Sequence, residues 1–313
     1  MTWEWILIAL AILIVLFYIA TYIVYRIVFY RDRKMSDNEY DLPAIKQINE
    51  HKDFMYSLID EMKKLECEDI NILAKDGTKL SARYYHVSDD APIQIQCHGY
   101  KGNAYRDFCG GNKLSREHGH NALVIEHRGH GRSGGNTISF GIIENKDVLC
   151  WIEYLVDRFG KDTKIILTGV SMGAATVLMT LQHELPKNVV CVIADCPYAS
   201  VKEIIDKVCK EDLKLPPKLV FPLIYCAGLF WGHFDMLKGD VRKAVKNAKV
   251  PVLIIHGKAD SLIPYSHSEE IYQNIPSFKK LALFDGADHG LSYIVDPTKY
   301  VNVIDEFSKE NNL

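Results

Sequence analysis

The sequence predicts an α/β architecture: a mainly parallel sheet covered on both faces by helices, with one apolar helix ahead of it. Three observations carry that expectation. Short β-rich apolar runs alternate with longer helical stretches through most of the 313 residues. The composition, 48% hydrophobic and 25% charged, belongs to a packed globular chain rather than a disordered one. The chain also begins with an uncharged stretch unlike anything after it. Net charge is −3, which gives no electrostatic ground for a nucleic-acid partner.

From Trp5 to Tyr25 the chain reads WILIALAILIVLFYIATYIVY, 21 residues without a charge. As a helix rising about 1.5 Å per residue it covers about 31 Å, the thickness of a hydrocarbon core. Trp3, Trp5, Tyr22 and Tyr25 mark its ends, as interfacial aromatics do. A cleaved signal peptide fits poorly. Only Glu4 is charged ahead of the run, the run is too long, and no small-x-small site closes it. Arg26, Arg31, Arg33 and Lys34 follow directly, so the positive-inside rule places the rest of a single-pass protein in the cytoplasm. Eight scattered cysteines without CxxC spacing read as buried free thiols and agree with a reducing compartment.

Residues 1–34 are therefore expected to be an anchor with a basic flank, and 35–66 a helical linker. In the linker Pro43 reads as a first-turn residue, and Leu42, Ile45, Ile48, Met55, Leu58, Ile59, Met62 and Leu65 recur near helical spacing. One or two helices follow, either packed on the domain or lying against the bilayer. The sequence leaves both open.

Residues 67–313 carry the α/β pattern. Glu68–Lys75 and Lys79–Val87 read as a hairpin about Asp76-Gly77. Further strands are expected at Ile93–Cys97, Ala122–Glu126, Lys164–Thr168, Val189–Ala194, Val252–His256 and Leu281–Phe284. Helices are expected at Ala104–Glu117, Ile142–Phe159, Met172–Glu184, Ser266–Gln273 and Pro297–Lys309. Apolar strands joined by crossover helices imply a mainly parallel sheet, made mixed by two leading antiparallel strands. Ser200 to Asn247 is too long for one crossover and reads as a cap over the sheet's C-terminal edge. Its uncharged core, Leu219–Trp231, has 13 residues, too few to span a membrane.

The chemistry sits at strand ends. Gly169-Val170-Ser171-Met172-Gly173 matches G-x-S-x-G between a strand-like run and a helix-like one. Such a turn strains the nucleophile's backbone and needs neighbours without side chains. Ser171 is inert near its own pKa and requires a base. Asp260 follows the Val252–His256 strand and His289 follows the Leu281–Phe284 strand, so all three groups gather at one sheet edge. In these roles His289 takes the Ser171 proton while Asp260 holds the imidazole tautomer. The amides of Tyr100, in the loop after Cys97, and of Met172 are the candidate oxyanion donors. His98 is expected to fix that loop by hydrogen bonding. Asp288 and Asp195 are weaker candidates for the acid. His118/His120 and His127/His130 lack the carboxylate or cysteine that would complete a metal site.

The segments HGYKGN, EHRGHGRSGG, GVSMGAAT, VPVLIIHGKADSLIP and GADHG together resemble the α/β-hydrolase superfamily. They are most similar to bacterial serine hydrolases of the monoglyceride lipase and serine aminopeptidase group. The resemblance runs from Glu68 to the C-terminus. It implies an eight-stranded sheet, a helical cap between strands six and seven, and hydrolysis of esters or amides without a cofactor. Glu126 departs from the pattern, where aspartate is commoner.

The expected activity is hydrolysis of carboxylic esters, small-molecule or lipid-derived, through an acyl-enzyme. A peptidase or thioesterase with the same three residues is the alternative, and a non-catalytic membrane-bound scaffold a third reading. Phe221, Tyr225, Phe230 and Trp231 of the cap are the candidate substrate contacts, with core packing as their alternative role.

Overall fold

A computed structural model describes residues 2–31, 38–43 and 45–311. Arg33 and Lys34 of the basic flank and Asp37 at the head of the linker lie outside the described residues.

Eight strands form one sheet: β1 (Glu68–Leu73), β2 (Lys79–Tyr85), β3 (Ile93–Cys97), β4 (Asn121–Glu126), β5 (Ile165–Val170), β6 (Val189–Asp195), β7 (Val252–Gly257) and β8 (Lys279–Phe284). Their order is β1-β2-β4-β3-β5-β6-β7-β8. β2 pairs antiparallel with both β1 and β4, and the other pairings are parallel. β1 and β2 are the expected leading antiparallel hairpin, and within it β2 is the strand that runs against the rest. The chain leaves β3 for β4 on one side and returns to β5 on the other. That reversal opens a crevice at the C-terminal ends of β3 and β5, the place where open α/β sheets bind ligands.

The sheet is apolar on both faces because helices cover both. Alternate side chains of β7 enter opposite cores: Ile254 joins one, Leu253 and Ile255 the other. The helices of the domain are α4 (Ala104–Glu117), α5 (Glu144–Phe159), α6 (Met172–Thr180), α7 (Val201–Lys207), α8 (Pro217–Phe230), α9 (Val241–Ala244), α10 (Ser266–Asn274), α11 (Ser292–Val295) and α12 (Pro297–Glu310). α6 stops four residues short of expectation; Pro186 bars continuation, and His183 Nε2 turns to Asn145 Oδ1 at 2.8 Å. α7, α8 and α9 form the excursion between β6 and β7.

Ahead of the sheet lie α1 (Thr2–Val28), α2 (Lys46–Glu50) and α3 (Lys52–Lys63). Within α1, Trp3–Val28 has a mean hydropathy of 2.8 and is long and apolar enough to cross a membrane. Its far end belongs to the domain core. Tyr25 and Phe29 are buried, Phe29 stacks edge-on against Phe140 and Phe234, and its carbonyl accepts from the Ile138 amide at 2.7 Å. Pro43 is not a first-turn residue. The Ile45 amide bonds the Pro43 carbonyl at 2.8 Å, and the helix begins at Lys46. α3 packs on α4, burying Leu58, Ile59 and Met62 with Phe108 and Cys109.

All eight cysteines are free thiols, six of them buried.

Candidate active site

Ser171 sits on the turn between β5 and α6 with φ 56° and ψ −118°, a conformation that side chains rarely adopt. The turn is possible because its neighbours are glycines. A Cβ on Gly173 would lie 1.8 Å from the Cys97 carbonyl oxygen, and one on Gly169 2.3 Å from the Gly173 carbonyl. The Ser171 amide is tied to the Asp195 carbonyl at 2.9 Å, which holds the strained residue in place.

His289 brings Nε2 to 2.9 Å from Ser171 Oγ and Nδ1 to 2.7 Å from Asp260 Oδ2. The Asp260 side chain is fully buried, and its Oδ1 accepts from the amides of Leu262 at 2.9 Å and Ile263 at 2.7 Å. Burial pushes this carboxyl up. Hydrogen bonds from His256 and His289 more than reverse that, so it titrates well below the usual carboxylate range. An ionised Asp260 fixes the proton on His289 Nδ1 and leaves Nε2 to accept from the Ser171 hydroxyl.

A second histidine, His256, also reaches Asp260. Its Nε2 lies 3.1 Å from Asp260 Oδ2 and 2.8 Å from the Ile263 carbonyl. Both are acceptors, so Nε2 carries a proton, and Nδ1 accepts from the Ser268 hydroxyl at 2.6 Å. Asp260 thus receives two imidazole donors. The signal was present as His256-Gly257-Lys258-Ala259-Asp260, a histidine at a strand end four residues before the acid.

The rival acids are engaged elsewhere. Asp288 Oδ1 accepts from the Ser261 amide at 2.8 Å and the His289 amide at 2.7 Å, stapling two loops. Asp195 Oδ2 accepts from the Tyr300 hydroxyl at 3.1 Å, and burial pushes its carboxyl up to about 6. Asp260, His289 and Cys196 offer ligand-type atoms within 4.8 Å of one another. They make a poor metal site, because burial keeps the Cys196 thiol protonated and Asp260 already holds His289.

Tyr100 and Met172 carry the two candidate oxyanion amides. Met172 is the first residue of α6, where helix geometry leaves the amide without an intrahelical acceptor. The Tyr100 loop is held from several directions. Gly99 N donates to Asp107 Oδ2 at 2.8 Å, His98 Nδ1 donates to the Gly99 carbonyl at 2.8 Å, and His98 Nε2 accepts from the His127 amide at 3.0 Å. The Tyr100 hydroxyl donates to the Val28 carbonyl at 2.7 Å, so the end of α1 braces the same loop. Glu126 reaches both Arg83, at 2.6 Å, and the Arg132 amide, also at 2.6 Å. The longer side chain closes that loop.

A cavity of about 280 Å³ opens over Ser171 and His289. Ile45, Ile48 and Met55 of the linker line it, with Tyr100, Leu262 and Leu291 of the domain. The linker is clipped down at two points. Gln47 Nε2 donates to the Gly286 carbonyl at 2.8 Å while its Oε1 accepts from the Asp288 amide at 2.7 Å, bracketing the His289 loop. Arg106 Nη1 donates to the Asp41 carbonyl at 3.2 Å and Nε donates to Asp107 Oδ1 at 2.6 Å, reaching the Tyr100 loop.

The cap aromatics require a correction: Phe221, Tyr225, Phe230 and Trp231 do not line this cavity. Trp231 packs on Tyr18 and Tyr22 of α1 with ring centroids 4.5 and 4.8 Å away, and Phe230 lies 6.1 Å from Tyr18. Phe221 and Tyr225 stack on each other, with Lys202 over the Phe221 ring. Packing Trp231 against the apolar α1 takes both surfaces out of water.

Two family models match: residues 95–220 fit the alpha/beta hydrolase fold, and residues 226–293 fit serine aminopeptidase, S33. The chain is 30% identical over 238 residues to the uncharacterised protein YqkD of Bacillus subtilis, covering 73% of this chain and 75% of that one. It is 25% identical over 194 residues to an uncharacterised membrane protein of Saccharomyces cerevisiae, YNL320W, covering 61% and 62%. The esterase Pf2001 of Pyrococcus furiosus superposes with a TM-score of 0.65 at 25% identity, over 80% of this chain and 93% of the esterase. The chain belongs to the α/β-hydrolase superfamily. Fold and neighbours together support a hydrolase.

Proposed function

We propose that the chain is a membrane-anchored serine esterase, with Ser171 as nucleophile, His289 as general base and Asp260 as orienting acid. The observation that carries this reading is the unbroken relay from Ser171 Oγ to His289 Nε2, 2.9 Å, and from His289 Nδ1 to Asp260 Oδ2, 2.7 Å. Ser171 attacks the ester carbonyl as its proton passes to Nε2. The oxyanion so formed meets the amides of Tyr100 and Met172, each contributing about 3 kcal/mol. His289 then protonates the departing alcohol, leaving an acyl-Ser171 that a water activated by His289 hydrolyses. The apolar cavity roof supports a hydrophobic acyl group, on a small molecule or a lipid. The chemistry calls on no cofactor.

Likeness to an esterase supports an ester substrate, and the match to a serine aminopeptidase model favours the second reading, a peptidase or thioesterase using the same residues. Wild type and Ser171→Ala should be assayed on p-nitrophenyl esters of rising chain length, acyl thioesters and aminoacyl anilides. Preferred ester turnover, lost by about 10⁴-fold or more in the variant, is expected. Faster anilide or thioester cleavage would install the second reading, and no turnover of any would leave a scaffold.

We further propose that α1 anchors residues 67–313 to a membrane through the linker, with the hydrolase domain in the cytoplasm. The hydropathy of α1 supports the anchor, as does the likeness to a yeast membrane protein. The half-buried thiols of Cys67 and Cys226 should resist an impermeant reagent added to intact cells. Labelling from outside reverses the orientation.

A further inference from the structure

We infer that α8 rests in the membrane beside α1, making the Ser200–Asn247 excursion a second lipid contact. The inference rests on the reading of α1 as a membrane span.

A solvated surface helix carries polar residues along its outward face. Past Lys218 in its first turn, α8 carries no charge there. Its buried face is Ile224, Ala227 and Gly228, while Leu219 is 77% and Phe230 44% exposed. Leu213 and Leu215, just ahead of it, are also exposed, and no charge occurs from Leu219 to Trp231. Contiguous exposed apolar surface of this kind marks a protein or membrane contact.

What selects the bilayer is continuity with α1. Trp231 and Phe230, at the C-terminal end of α8, pack on Tyr18 and Tyr22, and the Trp231 indole N–H donates to Thr21 Oγ at 3.1 Å. With the apolar span ending at Tyr25, Tyr22 and Tyr18 lie about 5 and about 10 Å inside it. That is the depth, about 5–10 Å, to which helices lying in the membrane interface sink. At 14 residues α8 is too short to cross a bilayer and long enough to lie in its surface. Lys214 and Lys218, exposed at its N-terminal end, can keep their ammonium groups among the headgroups while their stems cover apolar surface.

The test uses the full chain in phosphatidylcholine vesicles, with lipid brominated on the acyl chains as a short-range quencher of tryptophan emission. Trp151 is fully buried in the domain and serves as an unquenched internal reference. A variant with Trp3→Phe and Trp5→Phe reports Trp231. One with Trp3→Phe and Trp231→Phe reports Trp5. Adding Leu219→Trp to a background without Trp3, Trp5 and Trp231 reports the exposed face of α8 itself. Brominated lipid should quench all three reporters. Quenching of Trp5 with none at positions 231 and 219 overturns the inference while the anchor stands, whether water or a second copy of the chain covers α8. No quenching even of Trp5 removes the anchor reading, and this inference with it.

Discussion

The linker and the cap are both helical, both apolar on one side, and both lie near the edge of the sheet that carries Ser171. Only the linker reaches the cavity. Ile45, Ile48 and Met55 form its roof; Gln47 is clipped to the loop that holds His289, and the Asp41 carbonyl to Arg106 of α4, whose neighbour Asp107 holds the Tyr100 loop. The cap turns Phe230 and Trp231 to α1 instead, and stacks Phe221 on Tyr225. Apolar composition says that a segment avoids water, and says nothing of which neighbour shields it. The neighbour is decided by geometry: α1 rises beside the cap, whereas the linker must cross the site on its way from α1 to β1.

This contrast can be broken at several points. The largest effect is expected from Ile48→Asp. A carboxylate packed against Met55 and Leu291 costs several kcal/mol, enough to lift the roof. Turnover of a hydrophobic ester should then fall by about 100-fold or more, while a small fluorophosphonate still labels the serine. Unchanged kcat/KM would return the linker to a packing role.

Asp195, at the root of the cap, should govern stability rather than catalysis. Burial holds its carboxyl at about 6, above the ~3.9 of an unfolded chain, so the folded state binds this proton more tightly. Its contribution is present below pH ~4 and is lost as pH rises through about 6. Asp195→Asn removes the titration. It should gain up to about 3 kcal/mol over wild type at pH 8 and little at pH 4, read from denaturant midpoints. An equal gain at both pH values would contradict the linkage.

A smaller loss is expected from Gln47→Ala, which removes two hydrogen bonds to the His289 loop. At about 1 kcal/mol for each, kcat/KM should fall by tenfold or somewhat more, mainly through kcat, with little change in melting temperature. A loss confined to KM would show that Gln47 shapes the roof without steadying the base. The smallest effect belongs to the cap. Phe221→Ala should alter turnover of a soluble short-chain ester by less than about twofold, since its ring meets Tyr225 and Lys202 rather than the cavity. A large loss would restore the cap as a substrate contact.

Much of the domain was legible in the sequence because its signals are local. Ile93–Cys97 and Ala104–Glu117 fall where periodicity and the strand-loop-helix rhythm put them. Ser171, Asp260 and His289 are candidates for the same reason, each in a glycine-bearing loop just past an apolar strand. Their convergence follows from parallel strands sharing one C-terminal edge. The cavity roof was not legible. Gln47 meets Gly286 and Asp288 across most of the chain, and helical spacing in the linker marks an apolar face without naming what covers it. His256 escaped notice because a histidine ending a buried strand reads as core until its neighbours are known.

The most direct test is mass mapping of a fluorophosphonate adduct on the intact protein. The adduct should sit on the Ser171 hydroxyl, vanish in Ser171→Ala, and form about 10³-fold or more slowly in His289→Ala, where nothing accepts the proton. An adduct on another residue, or equal labelling with and without the Ser171 hydroxyl, would contradict the account.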